Sequence, residues 1–170
     1  MVPKRIVKAI GFLCLLLLFT GCSTNVDEEI KKGEKAAKTS FINNTVEPNE
    51  KGEEFNYYLP EGFKVEEEKK HNVIMNKGDT YAIIFVNPNE QSDSEVFIQN
   101  FMNHKEEYKT IQTFEKPGKK GFFTVRETEE NKYELIVGIG GVKVTTVAKA
   151  SDLELLSKEL MKTAISIKQD

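Results

Sequence analysis

The stretch TYAIIFVNP (residues 80–88) decides the fold class. In an extended chain successive side chains point to opposite faces, which puts Tyr81, Ile83 and Phe85 on one face and Ala82, Ile84 and Val86 on the other. A strand that is apolar on both faces asks for cover on both. The stretch therefore predicts a central strand of a sheet flanked by helices. The turn residues KGD (77–79) before it and Asn87-Pro88 at its end bound the run.

Outward from this strand the alternation repeats. FNYYL (55–59), FKVEEE (63–68) and NVIMN (72–76) precede it, and KTIQTF (109–114), GFFTVRET (121–128), KYELIVG (132–138) and VKVTTVAKA (142–150) follow. The basic turn KPGKK (116–120) and the glycines Gly138, Gly140 and Gly141 sit where hairpins are needed. Between the two runs of strands, residues 92–108 predict a helix. Its apolar stripe is Phe97, Ile98, Phe101, Met102 and Tyr108, and Ser92 and Glu95 have capping-box spacing. Ser151 and Glu154 repeat that spacing before a final helix through Ile165, striped by Leu153, Leu156, Leu160 and Ala164. The expected fold class is α+β: an antiparallel sheet with helices on both faces. The alternative is a helix-grip or cystatin-like sheet wrapped on one helix. Both halves run strands then helix, without a residue-level repeat that would establish duplication.

The N-terminal segment has a different logic. MVPKRIVK (1–8) is basic and the run from Ala9 to Phe19 is uncharged and apolar, the layout of an export signal. Eleven residues are too few for a spanning helix, which needs about 20. Phe19-Thr20-Gly21-Cys22 resembles the lipobox of bacterial lipoproteins. That resemblance implies a diacylglycerol on the Cys22 thiol and cleavage between Gly21 and Cys22, so residues 1–21 are expected to be a signal peptide. The implied membrane partner is the bilayer, reached through acyl chains on Cys22. Richness in Lys, Glu and Asn points to a Gram-positive cell, where the chain would sit at the outer face of the cytoplasmic membrane.

Residues 22–53 read as a polar tether with a short helix. Asp27/Lys31, Glu28/Lys32 and Glu34/Lys38 are spaced to pair on a helix, but Val26, Ile30 and Ala37 give only a thin stripe, weakened at Gly33. A flexible tether of this length would hold the domain about 30 Å from the bilayer. Residues 54–170 are expected to form one globular domain.

Composition narrows the function. With 170 residues, 39% hydrophobic, 30% charged and a net charge of −3, the chain suits one domain with a real core and lacks the basic excess that nucleic acid requires. Of its two cysteines, Cys14 falls in the signal and Cys22 is acylated, which leaves no disulfide, thiolate nucleophile or thiolate ligand. His71 reads as solvated and His104 as lying beside the core stripe of its helix; neither has metal-ligand spacing. Glu66–Glu68 and Glu127–Glu130 read as solvated acids at strand ends. No catalytic residue, cofactor or metal is expected.

FNYYLPEGF (55–63) resembles the opening of PsbP/Mog1-like domains, with Tyr57, Pro60, Gly62 and Phe63 matching. The resemblance implies an α/β/α sandwich that works by binding proteins and has no shared catalytic residues. The expected function is a non-catalytic protein-binding or assembly module at the cell envelope. The alternatives are a small-ligand or lipid-binding module, with Tyr57, Tyr58, Phe122 and Phe123 lining a pocket, and, third, a cell-wall hydrolase.

Overall fold

The computed structural model describes residues 25–43 and 45–169. The expected export signal (residues 1–21) and Cys22 lie outside the described residues. Within them the chain is α+β, with a seven-stranded antiparallel sheet and three helices. The order is α1 (Val26–Asn43), β1 (Glu50–Lys51), β2 (Phe55–Tyr57), β3 (Lys64–Lys69), β4 (Asn72–Lys77), β5 (Thr80–Val86), α2 (Val96–Asn103), β6 (Thr110–Lys116), β7 (Lys119–Glu129), β8 (Lys132–Ile139), β9 (Val142–Ala148), α3 (Leu153–Ser166) and β10 (Lys168–Gln169).

The sheet order β3-β4-β5-β9-β8-β7-β6 joins two meanders where β5 meets β9, with Ile84 opposite Val144. Of the eight strands expected, seven form this sheet, and FNYYL instead supplies β2 of a second one. Two-residue loops connect β3–β4, β4–β5, β6–β7, β7–β8 and β8–β9. Gly140, at φ +52°, must be glycine for a second reason: a Cβ there would lie 2.1 Å from the Gln91 carbonyl oxygen. A small second sheet, β1-β2-β10, brings Phe55 and Tyr57 into the main core.

Consecutive residues of β7 show how the layers divide. Phe123 joins the main core with Phe41 of α1 and Leu153 and Leu160 of α3. Phe122 faces the other way, into a smaller cluster with Phe97 and Phe101 of α2, whose ring centroids lie 6.0 and 5.4 Å from its own. Helices α1 and α3 thus contribute to the main core and α2 to the smaller cluster.

Cover on the α2 face is incomplete, which corrects the expectation from β5. Ala82, Ile84 and Val86 are buried, but opposite them only Phe85 meets the helix, 6.0 Å from Phe97; Tyr81 and Ile83 are 49% and 42% exposed. Helix α2 has eight residues, a length of about 12 Å, whereas seven strands span about 29 Å. It is shorter than expected because Ser92 is used elsewhere: its carbonyl accepts the Lys120 N–H at 2.9 Å against the β6–β7 hairpin. Neither expected capping box forms. Val96 N–H donates to Ser94 Oγ at 3.2 Å, and Ser151 sits in a 3-10 turn with its Oγ donating to Asp152 Oδ1 at 3.2 Å. At the other end of α2, Tyr108 folds back onto Phe101, centroids 5.6 Å apart.

The largest correction concerns the tether. Residues 26–43 form an 18-residue helix that buries Ile30, Gly33, Ala37, Ser40 and Phe41. The globular unit thus takes in α1 and does not start at residue 54. Small residues make the docking possible. A Cβ at Gly33 would lie 2.9 Å from Ser157 Oγ on α3, so the glycine that weakens an isolated helix permits close approach here. Ser40 Oγ donates to the Lys158 carbonyl at 3.3 Å. Phe41 is fully buried, 5.9 Å from the Phe114 ring and so close over Gly121 that a Cβ there would sit 2.7 Å from it.

The KPGKK turn holds this helix. Lys116 Nζ donates to the Phe41 carbonyl at 2.5 Å and lies 4.8 Å from the Phe41 ring centroid, a cation at the negative end of α1. Burial, and then the neighbouring Lys119, lower the Lys116 pKa from its ordinary value. Lys120 pairs with Glu95 just before α2. Two lysines of the basic turn therefore tie helices to the hairpin.

Candidate functional site

Of the four aromatics expected to line a pocket, only Tyr58 does. Phe122 and Phe123 face opposite sides of the sheet, and Tyr57 is fully buried in the core. Its Oη has no hydrogen-bond partner among the described residues. Burial, then the carboxylates of Glu68 and Glu50, push its pKa up to about 12. The sign follows directly. An unfolded Tyr57 loses its proton near pH 10, so above that pH the unfolded state binds fewer protons than the folded one. Stability present below about pH 10 is lost as pH rises through about 12. In an alkaline absorbance titration, one of the five tyrosines is expected to ionise only with unfolding. Complete ionisation of all five below about pH 11, with the far-ultraviolet dichroism intact, would contradict the burial.

The structure instead builds a cavity of about 510 Å³ along the first turns of α3. Tyr58, Pro60 and Phe63 supply one wall, Leu155 and Leu156 the other, and Lys77 and Thr80 of the β4–β5 hairpin close one end. The YLPEGF stretch is shaped for this. Phe63 N–H donates to the Pro60 carbonyl at 3.0 Å, closing a turn, and Gly62 takes φ +83° where a Cβ would press within 2.9 Å of Lys77 Cε. Lys77 Nζ donates to the Glu61 carbonyl at 3.2 Å. Two further bonds fix the wall: Tyr58 N–H to Ser166 Oγ at 2.7 Å, and Leu59 N–H to Asn49 Oδ1 at 2.7 Å.

Charges of both signs ring an apolar floor. Lys162 pairs with Glu159 at 2.8 Å and stands 6.0 Å from the Tyr58 ring centroid. Glu61 and Asp152 also line the cleft and form no ion pair among the described residues. Leu155 is 59% exposed, the most exposed large apolar side chain among the described residues. It lies off the stripe of Leu153, Leu156 and Leu160, and that misplacement is the signal in the sequence that could have located the site. Such a cleft binds by apolar contact with polar steering at its edge.

Elsewhere, several of the acids singled out in the sequence are already paired. Glu67 meets Lys69 at 2.6 Å, Glu127 meets Lys109 at 3.0 Å, and Glu68 accepts the Glu53 N–H at 2.6 Å. His104 is exposed at the end of α2, not beside the core stripe as expected, and lies near Glu106 and Glu107. All three are solvated and Glu107 already holds Arg126 at 3.3 Å, which makes this a poor chelate. A groove between α1 and α3 carries Lys32, Lys35, Lys158 and Lys162, of which Lys32 is paired with Glu28 and Glu29, and Lys162 with Glu159. Among the described residues, no helix is long and apolar enough to cross a membrane.

Comparison of the chain with protein families, curated proteins and solved structures yields no match.

Proposed function

We propose that this chain is a bacterial lipoprotein, anchored through Cys22 at the outer face of a Gram-positive cytoplasmic membrane, and that it acts as a non-catalytic protein-binding module. In this reading the fold is an α/β/α sandwich of PsbP/Mog1 type, with YLPEGF as its recognition wall. The observation that carries it is the cleft beside α3: an apolar floor open to water at Leu155, ringed by charge. An exposed apolar side chain in a charged rim is the anatomy of a protein-docking surface. The small-ligand reading keeps one observation in its favour, a cavity of about 510 Å³, within the range of ligand sites.

The test is a crosslinking pull-down from whole cells with wild type and Leu155→Glu. Because Leu155 is largely solvated, the substitution is expected to leave the melting temperature unchanged. It is expected to lower recovery of the wild-type partner about tenfold, the loss of one central apolar contact. Identical recovery from both proteins overturns docking at this cleft. A small molecule that copurifies with wild type, binds saturably and is lost in Leu155→Glu decides for the ligand reading.

A further inference from the structure

The docked α1 changes what an anchor at Cys22 does. Three residues, 23–25, separate Cys22 from Val26, so whatever their conformation the four steps reach at most about 14 Å. The first residue of α1 is thereby held close to the bilayer surface, with no room for a long stand-off.

The register then places the cleft. Helix α1 runs along β6, from Asp27 near Lys109 to Phe41 at Lys116. The Lys109 end of β6 is the end at which β9 finishes at Ala148, β5 starts at Thr80 and β4 finishes at Lys77. Helix α3 starts at this same end, so Lys77, Thr80, Asp152 and Leu155 all lie there. The β6–β7 and β8–β9 hairpins are at the opposite end, about 23 Å away along strands of seven residues.

We propose that the cleft opens towards the bilayer and that its occupant is a juxtamembrane segment of a membrane protein, aliphatic with a Lys or Arg. This rests on the Cys22 anchor. The charge balance selects the segment. Glu159 and Lys162 satisfy each other, which leaves Glu61 and Asp152 against Lys77 alone. The excess carboxylate favours a cation on the incoming chain and disfavours an anionic lipid headgroup. Leu155 and the apolar floor take its aliphatic side chain.

The chain has no tryptophan, so single indoles can report position. The full chain is expressed in a Gram-positive host as Leu155→Trp or Glu115→Trp. The purified proteins are reconstituted in phosphatidylcholine vesicles carrying a dansylated phosphatidylethanolamine headgroup. Energy transfer is expected to be severalfold more efficient from Leu155→Trp than from Glu115→Trp, which marks the far hairpin. Equal transfer, or the reverse order, overturns the orientation. Mass spectrometry of the same samples separates the two readings. Acylated Cys22 with the reverse order defeats this inference alone, while unacylated Cys22 defeats the anchor and the inference together. For the occupant, a photocrosslinker placed at Leu155 in cells is expected to mark peptides adjoining transmembrane segments, with a Lys or Arg in the marked stretch. Crosslinks confined to lipid, or to proteins without such segments, overturn the choice of occupant.

Discussion

A chain cut back to residue 54 is expected to lose its cooperative unfolding transition. The cut removes α1, and with it Ile30, Ala37 and Phe41 from the main core. Phe123, Phe114 and Leu153 would then face water over the width of two strands. Phe41 alone sets the scale: it is fully buried over Gly121, and a buried Phe→Ala change costs about 3–5 kcal/mol. A domain has only about 5–15 kcal/mol in total, so losing the whole helix exceeds what this one can spare. Circular dichroism melts of the chain from residue 23 and from residue 54 make the comparison, with Phe41→Ala between them. The longer chain is expected to melt sharply, Phe41→Ala at a clearly lower temperature, and the shorter chain over a broad range with dye-binding apolar surface. A sharp transition for the shorter chain, within a few degrees of the longer one, would return residues 26–43 to the role of a tether.

The mistaken tether shows where sequence reading reached and where it stopped. Strands were legible because period-two alternation and Gly-containing hairpins are local signals. All seven strands of the main sheet lie where the alternation places them. A short helix was expected at α1, but its docking was not legible, because its docking face is made of Gly33, Ala37 and Ser40 as much as of Ile30 and Phe41. A stripe of small residues reads as weak amphipathicity, yet it is what two closely approaching helices need. The capping boxes at Ser92 and Ser151 failed for a related reason. Ser92 is bound to the β6–β7 hairpin by Lys120, a partner distant in sequence.

The candidate site was half legible. Tyr58 was expected in a pocket and Pro60 and Phe63 were singled out by motif, and all three line the cleft. Phe122 and Phe123 could have been separated at once, since neighbours on a strand face opposite ways. The opposite wall, Leu155 and Leu156 of α3, depends on how α3 lies across the sheet. Local periodicity does not carry that information.

Replacing Cys22 with alanine is expected to move the protein from the membrane fraction to the soluble fraction almost completely. The reason is that nothing among the described residues is left to hold it. The apolar face of α1 is spent against α3, and no helix among the described residues is long and apolar enough to span. The first turn of α1 carries Asp27, Glu28 and Glu29, which an anionic leaflet repels. A diacylglycerol supplies two chains, at about 0.8 kcal/mol per buried methylene, where a single chain binds only reversibly. With residues 1–21 cut away, removal of the thiol therefore removes the acyl anchor. Fractionation with metabolic acyl labelling measures it, with Cys14→Ala as the control expected to stay labelled and membrane-bound. A Cys22→Ala protein that remains in the membrane pellet, or a wild type that takes up no label, would end the lipoprotein reading. The membrane-facing orientation of the cleft would fall with it, because only an anchor four residues from α1 fixes which end of the sheet meets the bilayer.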